Sequence, residues 1–423
     1  MAAASFADWF QRVLGPGMLA GITLEDWFCL LRQNRFAIPP KYWPRAAAIT
    51  AYSLLNTAVR WPEELILGRK WRQVAVKKPL FILGHLRSGT THLHYLLDLD
   101  DRLTCPNFFQ CSYPLSFLLG ESWGAPLIDL LMPKRRVMDG MQLGARVAAE
   151  DELASCVGSL CTPYLGWAFP QNWSRYERHW TFQNAPAKEI QQWQSGVLEL
   201  CQKLTWKSGQ QLVLKSPPHT GRIRLLLELF PDAQFVHIYR NPFVVFQSTR
   251  HLWNSIHPYC SLQQPNLSEF DDRIIRYYKE MHEAFFDERN LIPEQNYHEI
   301  RFEELERSPL EQLQVLYEKF ELPDFALAAP KFAEYLGRQR TYQKNQHREL
   351  EPALRERLKY EWRRVFEEWG YETDEDQPAD VNPFNGQQIS GTDNSDAGLN
   401  RARTTDPVAN SDFAPSVEPA AQR

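Results

Sequence analysis

The stretch Leu80–Leu97, LFILGHLRSGTTHLHYLL, decides which kind of fold this chain adopts. Its first four residues form a short apolar run that suits a strand buried in a parallel sheet, and residues 90–99 show the apolar periodicity of a helix. Gly84 and Gly89, with the two threonines that follow, match the phosphate-loop pattern G-x-x-x-x-G-K-[ST], except that Thr90 replaces the lysine. The sequence therefore predicts a strand, an anion-binding loop and a helix, in that order.

The glycine-rich loop is suited to phosphate or sulfate. When a strand continues through glycine-rich backbone into a helix, several backbone N–H groups point at one spot. The positive end of the helix dipole points at the same spot. Arg87 is the nearest fixed cation, and an arginine stays protonated and offers a planar fork of donors. We expect five loop residues to hold a terminal anionic group without recruiting a metal: Arg87, Ser88, Gly89, Thr90 and Thr91. The alternative is that GHLRSGTT is only a turn between a strand and a helix.

Two further apolar runs predict more of the same sheet. They are QLVLKSPPH (211–219) and AQFVHIYRNP (233–242), and a helical segment, TGRIRLLLELFPD (220–232), separates them. In that segment four apolar residues fall on one helical face: Ile223, Leu226, Leu227 and Phe230. Strand, helix and strand in succession predict that the two strands pair in parallel. The expected fold class is α/β, with a P-loop-like parallel sheet flanked by helices.

The remaining segments are helical or polar. Residues 1–75 carry apolar positions at helical spacing and predict an N-terminal helical segment. Three segments have the pattern of amphipathic helices on the outside of the sheet: 271–290, 309–322 and 352–370. We assign the α/β domain to residues 76–373. Residues 374–423 hold few large apolar side chains, so they cannot repay their ordering entropy and predict a disordered tail.

A second cation and a hydroxyl group follow the run 233–242. Arg240 ends the predicted strand, and Ser248 lies eight residues later on a helix that should begin near Pro242. A residue at the carboxyl end of a strand and one two helical turns onward can face the same crevice, where ligands bind in open parallel sheets. We expect Arg240 and Ser248 to bind a second phosphate.

At these residues the chain resembles the sulfotransferases that use 3′-phosphoadenosine 5′-phosphosulfate (PAPS), in their broad bacterial branch. RSGTT (87–91) is similar to their 5′-phosphosulfate loop, and Arg240 with Ser248 is similar to their 3′-phosphate motif. The segments at 212–242 and RFEELERSP at 301–309 are also similar, and the likeness covers residues 78–372. The resemblance implies PAPS as the sulfuryl donor, bound through these two motifs. His85 departs from the pattern, because related loops often carry small or apolar residues there.

Sulfuryl transfer needs positive charge at the transferred group and at the departing phosphate. Besides Arg87, the candidate is Lys215, which ends the run LVLK and should lie at the same edge of the sheet as Arg87 and Arg240. We expect Lys215 to act in catalysis with Arg87. The alternative is an ordinary lysine held in a structural ion pair.

A hydroxyl acceptor also needs a base, and VAAEDELAS (147–155) places three acids in an apolar neighbourhood. Similar acidic segments occur at this point in the family that the chain resembles. Glu150 or Glu152 is the expected catalytic base, since a carboxylate can take the acceptor proton directly. The alternative is a helix N-terminus rich in acids. His94, on the helix after the loop, either packs in the interior or approaches the acceptor.

The segment RTYQKNQHREL (340–350) concentrates four basic residues: Arg340, Lys344, His347 and Arg348. Its charge pattern is that of a solvated basic loop. The resemblance implies a different role, a lid over the donor or the acceptor. The aromatic residues between Trp123 and Trp180 either line an acceptor pocket or belong to a large core.

Composition narrows the class of protein. A formal charge of -5 and a pI near 6.2 argue against general nucleic-acid binding. Seven cysteines without a CxxC pair indicate neither a disulfide framework nor a zinc site, and free thiols in a reducing cytoplasm are expected.

The N-terminus lacks the basic region of a signal peptide. Leu153–Ser174 is uncharged but holds Pro163 and Pro170, so we expect a buried wall near a pocket rather than a membrane span.

These observations predict a cytoplasmic, metal-independent sulfotransferase that moves a sulfuryl group from PAPS to a hydroxyl or amine. The acceptor class stays open between a small molecule, a carbohydrate and a lipid, and peripheral contact of the N-terminal helices with a membrane stays compatible with the sequence. One alternative is a nucleotide kinase or triphosphatase, which the missing loop lysine disfavours. The other is a non-catalytic nucleotide-binding protein. The sequence does not determine the oligomeric state.

Overall fold

The computed structural model describes residues 6–136, 140–339 and 349–371, with side chains from residue 8 onward. The basic loop that begins at Arg340, with Lys344, His347 and Arg348, lies outside the described residues. The tail predicted for residues 374–423 lies outside them as well. The lid and the tail therefore stay predictions, and so do the domain boundaries at residues 75 and 373.

A parallel sheet forms the centre of the described chain. Its five strands are β1 (Leu80–Leu83), β2 (Leu103–Thr104), β3 (Gln211–Lys215), β4 (Gln234–Tyr239) and β5 (Tyr297–Arg301). The order is β2-β3-β1-β4-β5, and every pair is parallel. The predicted α/β class and its parallel sheet are confirmed.

One detail of the predicted sheet is wrong. β3 and β4 were expected to pair with each other, but β1 lies between them and pairs with both. The four residues of β1 are all apolar and buried, so β1 suits the centre of the sheet, where both edges of a strand are covered. The helix that connects β3 to β4 consequently passes over β1.

Helices surround the sheet. In chain order the α-helices of the described residues are α1 (Phe6–Val13), α2 (Leu24–Gln33), α3 (Trp43–Trp71), α4 (Thr90–Leu97), α5 (Phe108–Ser112), α6 (Phe117–Leu131), α7 (Glu152–Gly158), α8 (Leu165–Ala168), α9 (Trp173–Tyr176), α10 (Ala187–Ser208), α11 (Ile223–Leu229), α12 (Pro242–Cys260), α13 (Phe270–Glu288), α14 (Phe302–Arg307), α15 (Pro309–Phe320), α16 (Phe325–Gln339), α17 (Pro352–Glu361) and α18 (Arg363–Trp369). The N-terminal helical segment is thus confirmed. The segment 352–370 forms two helices that meet at Trp362, where one was expected.

Alternate residues of β1 serve two cores. Leu80 and Ile82 pack on one face of the sheet, with α4, α15 and α16. Phe81 and Leu83 pack on the other, in a larger core that includes Trp27 and other residues of the N-terminal helices. This alternation follows from the period of two along a strand, and it fixes which side chains remain at the carboxyl edge of the sheet.

The uncharged segment Leu153–Ser174 contains most of α7, the whole of α8 and the start of α9, and its side chains are mostly buried.

Within the described ranges, no helix is both long enough and apolar enough to cross a membrane. All seven cysteines carry free thiols.

Gly89 is required by the turn from the loop into α4. Its φ of 104° lies in the left-handed region, and a Cβ atom built there would come within 2.2 Å of the Phe302 ring. Gly209, after α10, also has a positive φ, of 69°, but a Cβ atom would meet nothing within 4 Å. Gly209→Ala therefore reports the cost of a positive φ without a steric clash, and Gly89→Ala adds the clash.

Gly89→Ala should lower the free energy of unfolding by about 1–3 kcal/mol more than Gly209→Ala does, because only the first substitution forces a methyl group into an aromatic ring. Urea denaturation of both variants measures the difference. Equal destabilisation by the two substitutions would contradict the close approach of Phe302 to the loop.

Candidate active site

The carboxyl ends of three neighbouring strands meet at one edge of the sheet. Ile82 of β1 pairs with Lys215, the last residue of β3, and Leu83 pairs with His237 of β4. The loop that begins at Gly84 therefore emerges between Lys215 and the end of β4, which Arg240 follows directly. This is the position where open parallel sheets bind ligands.

Local contacts hold the loop 84–91 in shape. The Gly84 N–H donates to the Thr220 hydroxyl at 2.7 Å, and the Ser88 hydroxyl donates to the His85 carbonyl at 2.8 Å. Arg87 adopts a φ of 72°, which is uncommon for a residue with a side chain. Thr90 begins α4, so the first N–H groups of the helix belong to the loop and carry the positive end of its dipole.

The two predicted phosphate motifs meet through their side chains. The Arg87 Nε–H donates to the Ser248 hydroxyl at 2.9 Å, although 161 positions separate the two residues. Ser248 lies on α12 and is only 4% exposed. The Arg240 guanidinium lies over the Phe302 ring, 4.4 Å from its centre, and this is the ring that approaches Gly89. The structure therefore brings Arg87, Arg240 and Ser248 to one region.

Lys215 joins the loop to the acidic segment. Its ammonium group donates to Glu150 Oε1 at 2.6 Å and lies 3.5 Å from the Thr91 hydroxyl. The other Glu150 oxygen accepts a hydrogen bond from the Tyr164 hydroxyl at 2.7 Å. The Glu150 side chain is 20% exposed and that of Lys215 only 2%, so Glu150 is the more exposed member of the pair.

Burial and charge act against each other in this pair. Burial alone would raise the pKa of Glu150, but the Lys215 charge and the hydrogen bonds from Lys215 and Tyr164 hold that pKa below its ordinary value. Burial lowers the pKa of Lys215, and Glu150 offsets part of that effect. Glu150 is therefore ionised at neutral pH and able to accept a proton.

The three consecutive acids bind three different basic residues. Glu150 binds Lys215, and Asp151 lies 2.6 Å from His219 Nε2. Glu152 accepts two hydrogen bonds from the Arg222 guanidinium, at 2.9 and 3.0 Å.

Glu152 and Arg222 form a fully buried pair, since each side chain is 0% exposed. The Ser216 hydroxyl also donates to Glu152, at 2.7 Å. A carboxylate so enclosed has no open path to an acceptor, whereas the Glu150 side chain is partly exposed. The structure thus brings Glu150, and not Glu152, into contact with Lys215 at this edge of the sheet.

Sequence reasoning missed three residues of this region: Tyr164, His219 and Arg222. The segment KSPPHTGR (215–222) contains a signal for His219 and Arg222. Its three basic residues, at positions 215, 219 and 222, equal in number the three acids at positions 150–152. No comparable signal marks Tyr164. Its ring stacks on Trp167, with 4.4 Å between the ring centres, so part of the aromatic segment does border the Glu150 carboxylate.

The nearby histidines pack in the interior. His94 is 0% exposed, and burial together with the Lys215 charge lowers its pKa to about 3. His94 is therefore neutral and does not reach an acceptor at the surface. His85, the departure from the related loops, is also buried, which lowers its pKa to about 4, and it packs against Tyr278.

Comparison with known proteins identifies the family. A model of the sulfotransferase family matches residues 79–326, which include the loop, Lys215, Arg240 and Ser248. The chain belongs to the sulfotransferase family. Omega-hydroxy-beta-dihydromenaquinone-9 sulfotransferases Stf3 of Mycobacterium bovis and Mycobacterium tuberculosis are each 34% identical to it over 364 residues, 86% of this chain and 93% of the relative. This sulfotransferase is accordingly a transferase enzyme of the bacterial type.

Solved structures agree on the fold. Sulfotransferase STF9 from Mycobacterium avium superposes with a TM-score of 0.64 at 18% identity, covering 81% of this chain and 90% of that one. Sulfotransferase STF1 from Mycobacterium tuberculosis gives a TM-score of 0.57 at 16% identity, covering 80% and 91%. The sheet and its flanking helices are thus the sulfotransferase fold.

Glu152→Gln should lower the free energy of unfolding by about 3–5 kcal/mol, because it leaves the Arg222 guanidinium buried without its counter-charge. Chemical denaturation measures the loss. The matched control is Glu334→Gln, which breaks a salt bridge with Arg338 at a side chain that is 63% exposed and should cost less than about 1 kcal/mol. Similar costs for both substitutions would contradict a structural role for Glu152.

Proposed function

We propose that this sulfotransferase moves a sulfuryl group from PAPS to a hydroxyl group of an apolar acceptor, without a metal ion. The observation that carries the proposal is the hydrogen bond between Arg87 and Ser248. It joins a loop suited to the 5′-phosphosulfate with a motif suited to the 3′-phosphate, beside the ion pair of Lys215 and Glu150.

The donor set fits an anion with two charged ends. At one end the loop and the N-terminus of α4 present guanidinium, hydroxyl and N–H donors. The loop residues are Arg87, Ser88, Gly89, Thr90 and Thr91. Arg240 and Ser248 present a guanidinium and a hydroxyl at the other. Fixed cations supply the charge that magnesium supplies to a triphosphate, which is the reason to propose a metal-independent reaction.

In the proposed reaction Glu150 is the base. PAPS supplies the sulfuryl group, whose bond to the phosphate oxygen breaks as the bond to the acceptor oxygen forms. Glu150 takes the proton of the acceptor hydroxyl, while Tyr164 and Lys215 keep the carboxylate ionised and fixed in position. We assign Glu152 the supporting role of holding the acidic segment on Arg222.

Lys215 and Arg87 neutralise the charge that moves during transfer. The Lys215 ammonium lies between Glu150 and Thr91, so it faces both the base and the loop. As the acceptor proton reaches Glu150, the ion pair loses its negative partner and the Lys215 charge becomes available to the leaving phosphate oxygen. Arg87, in the loop itself, supplies the second fixed charge, and such fixed charges need no reorganisation during the reaction.

The proposed acceptor class rests on the relatives and on the surroundings of Glu150. The name of the Stf3 relatives gives an omega-hydroxylated dihydromenaquinone as their acceptor. In this chain the Tyr164 hydroxyl contacts the Glu150 carboxylate and its ring stacks on Trp167, and aromatic rings suit an apolar ligand with one polar end. A hydroxylated lipid is therefore the acceptor that we propose.

The direct test is incubation with ³⁵S-labelled PAPS and a lipid extract, followed by mass spectrometry of any labelled product. The proposal expects a lipid that gains one sulfate, with EDTA present throughout. Transfer only to water-soluble acceptors would remove the lipid assignment, and absence of transfer to any acceptor pool would favour a non-catalytic nucleotide-binding protein.

Lys215→Ala should lower turnover by roughly 10²–10³-fold, by analogy with the loss of one oxyanion donor, and Glu150→Gln by roughly 10²–10⁴-fold, through the loss of the base. Affinity for the desulfonated nucleotide should change much less in both variants. Single-turnover kinetics and calorimetry measure the two effects separately. Lys279→Ala, at an exposed lysine on α13, is the control and should change neither. Loss of affinity alone would make Lys215 a binding residue.

Arg240→Ala should weaken the binding of adenosine 3′,5′-bisphosphate by roughly 10–100-fold, because it removes a charged hydrogen bond. The binding of adenosine 5′-phosphate should stay unchanged. The reason is that a 3′-phosphate remote from the sulfur contributes binding energy alone. Arg250→Ala, whose side chain is 39% exposed on the same helix as Ser248, is the matched control. Equal effects on both nucleotides would remove the 3′-phosphate assignment of Arg240.

A further inference from the structure

The face of α3 that points away from the core is apolar. A helix on a protein surface normally turns charged and polar residues to solvent. Along α3, from position 51 to position 66, the solvent-exposed positions hold alanine, proline and large apolar residues instead, and none of them is charged. The large ones are 54–80% exposed: Leu54, Leu55, Trp61, Leu65 and Ile66.

Helix α6 extends this surface. Its exposed large side chains include Trp123 (58%), Leu127 (54%) and Leu130 (78%). Near its start, the Leu119 N–H donates to Glu63 of α3 at 3.0 Å, which places the two helices side by side. We call these three residues of α6, together with the five exposed residues of α3, the apolar face.

The chain around the apolar face is basic. Residues 1–78 hold eleven lysines and arginines and five aspartates and glutamates, a net charge of +6, in a protein whose formal charge is -5. Arg69 and Lys70 are exposed at the end of α3, and Lys134 and Arg135 are exposed just after α6. Basic residues beside an exposed apolar surface complement an anionic, apolar partner.

We propose that the apolar face docks this protein on the surface of an anionic lipid bilayer. Apolar helix faces with tryptophans and flanking bases lie in the interface between headgroups and acyl chains, where the bases attract anionic lipids. A second copy of the chain is a poorer occupant, because a symmetric pair would bring the same basic residues together. So many large apolar side chains exposed on two neighbouring helices mark an interaction surface.

The end of α6 leads from this surface to the active site. Arg136, five residues after the last residue of α6, is close enough to Glu150 and Lys215 that its charge lowers the pKa of both. Leu130 and Leu131, in the last turn of α6, are themselves exposed. If the proposed function holds, a lipid acceptor moves from the bilayer along the end of α6 to the base. Docking itself does not depend on that function.

Cosedimentation with vesicles of phosphatidylglycerol and phosphatidylcholine tests the proposal, with the full chain and neither donor nor acceptor present. The wild-type protein should bind these vesicles, bind pure phosphatidylcholine more weakly, and lose affinity as salt rises. Leu65→Glu and Leu130→Glu should each weaken binding at least about tenfold, because each places a charge in the interface. The control is Leu327→Glu, at a leucine that is 66% exposed on α16, and it should bind like the wild type.

Three results would overturn the proposal: no binding to anionic vesicles, equal binding by all three variants, or a dimer in analytical ultracentrifugation that Leu65→Glu dissociates. The last result would assign the apolar face to a second copy of the chain. Thermal unfolding of each variant checks that the fold persists, which substitutions at such exposed positions should allow. Since vesicle binding needs no sulfuryl donor, its failure would leave the proposed reaction standing, and the reverse also holds.

Discussion

Three adjacent contacts, the ion pairs of Glu150 with Lys215 and of Glu152 with Arg222 and the hydrogen bond between Asp151 and His219, fix the geometry on which the rest of the site depends. Buried charges are tolerated only when they are paired. A shift of the acidic segment by one residue in either direction would leave one buried base and one acid without a partner, so the pairing favours a single alignment. The segment that leads into α7 is thereby clamped to the end of β3, at the edge where the loop emerges from β1.

The members of the acidic triplet differ in exposure, and in the proposed reaction this difference separates a structural role from a chemical one. Glu152 is enclosed with Arg222, while the Glu150 side chain is 20% exposed and faces Lys215 and Tyr164. An enclosed pair fixes position, and the partly exposed Glu150 is the acid that we propose to take the acceptor proton. The fixed position of Glu152 is therefore what allows Glu150 to be held beside the loop.

The sequence was sufficient for the elements whose signal is local. The apolar run at 80–83, the glycine loop and the helix after it each follow from their own residues, and the structure has all three, with the helix ending at Leu97 rather than Leu99. The position of β1 between β3 and β4 could not be predicted, because strand order depends on packing between distant segments. The apolar solvent face of α3 was hidden for a similar reason, since periodicity does not tell which stripe of a helix meets the core.

The candidate site divides in the same way. Arg87, Arg240 and Ser248 could be proposed because their spacing carries the motif, and the structure brings them together at the end of parallel strands. Glu150 and Glu152 could not be separated, because neighbouring acids have equal chemistry until their partners are known. His219, Arg222 and Tyr164 become part of the site only through contacts between residues far apart in the chain.

Glycine loops of this type also occur in kinases and triphosphatases, so the decisive question is whether fixed cations replace a metal at the anion site. Titration calorimetry of adenosine 3′,5′-bisphosphate into the protein, in the presence of EDTA, answers it most directly. A sulfotransferase site built on Arg87, Lys215, Arg240 and Ser248 should bind the bisphosphate in one saturable step and should not bind ATP more tightly when magnesium is added. Bisphosphate binding that requires magnesium, or a preference for magnesium-bound ATP, would contradict the account.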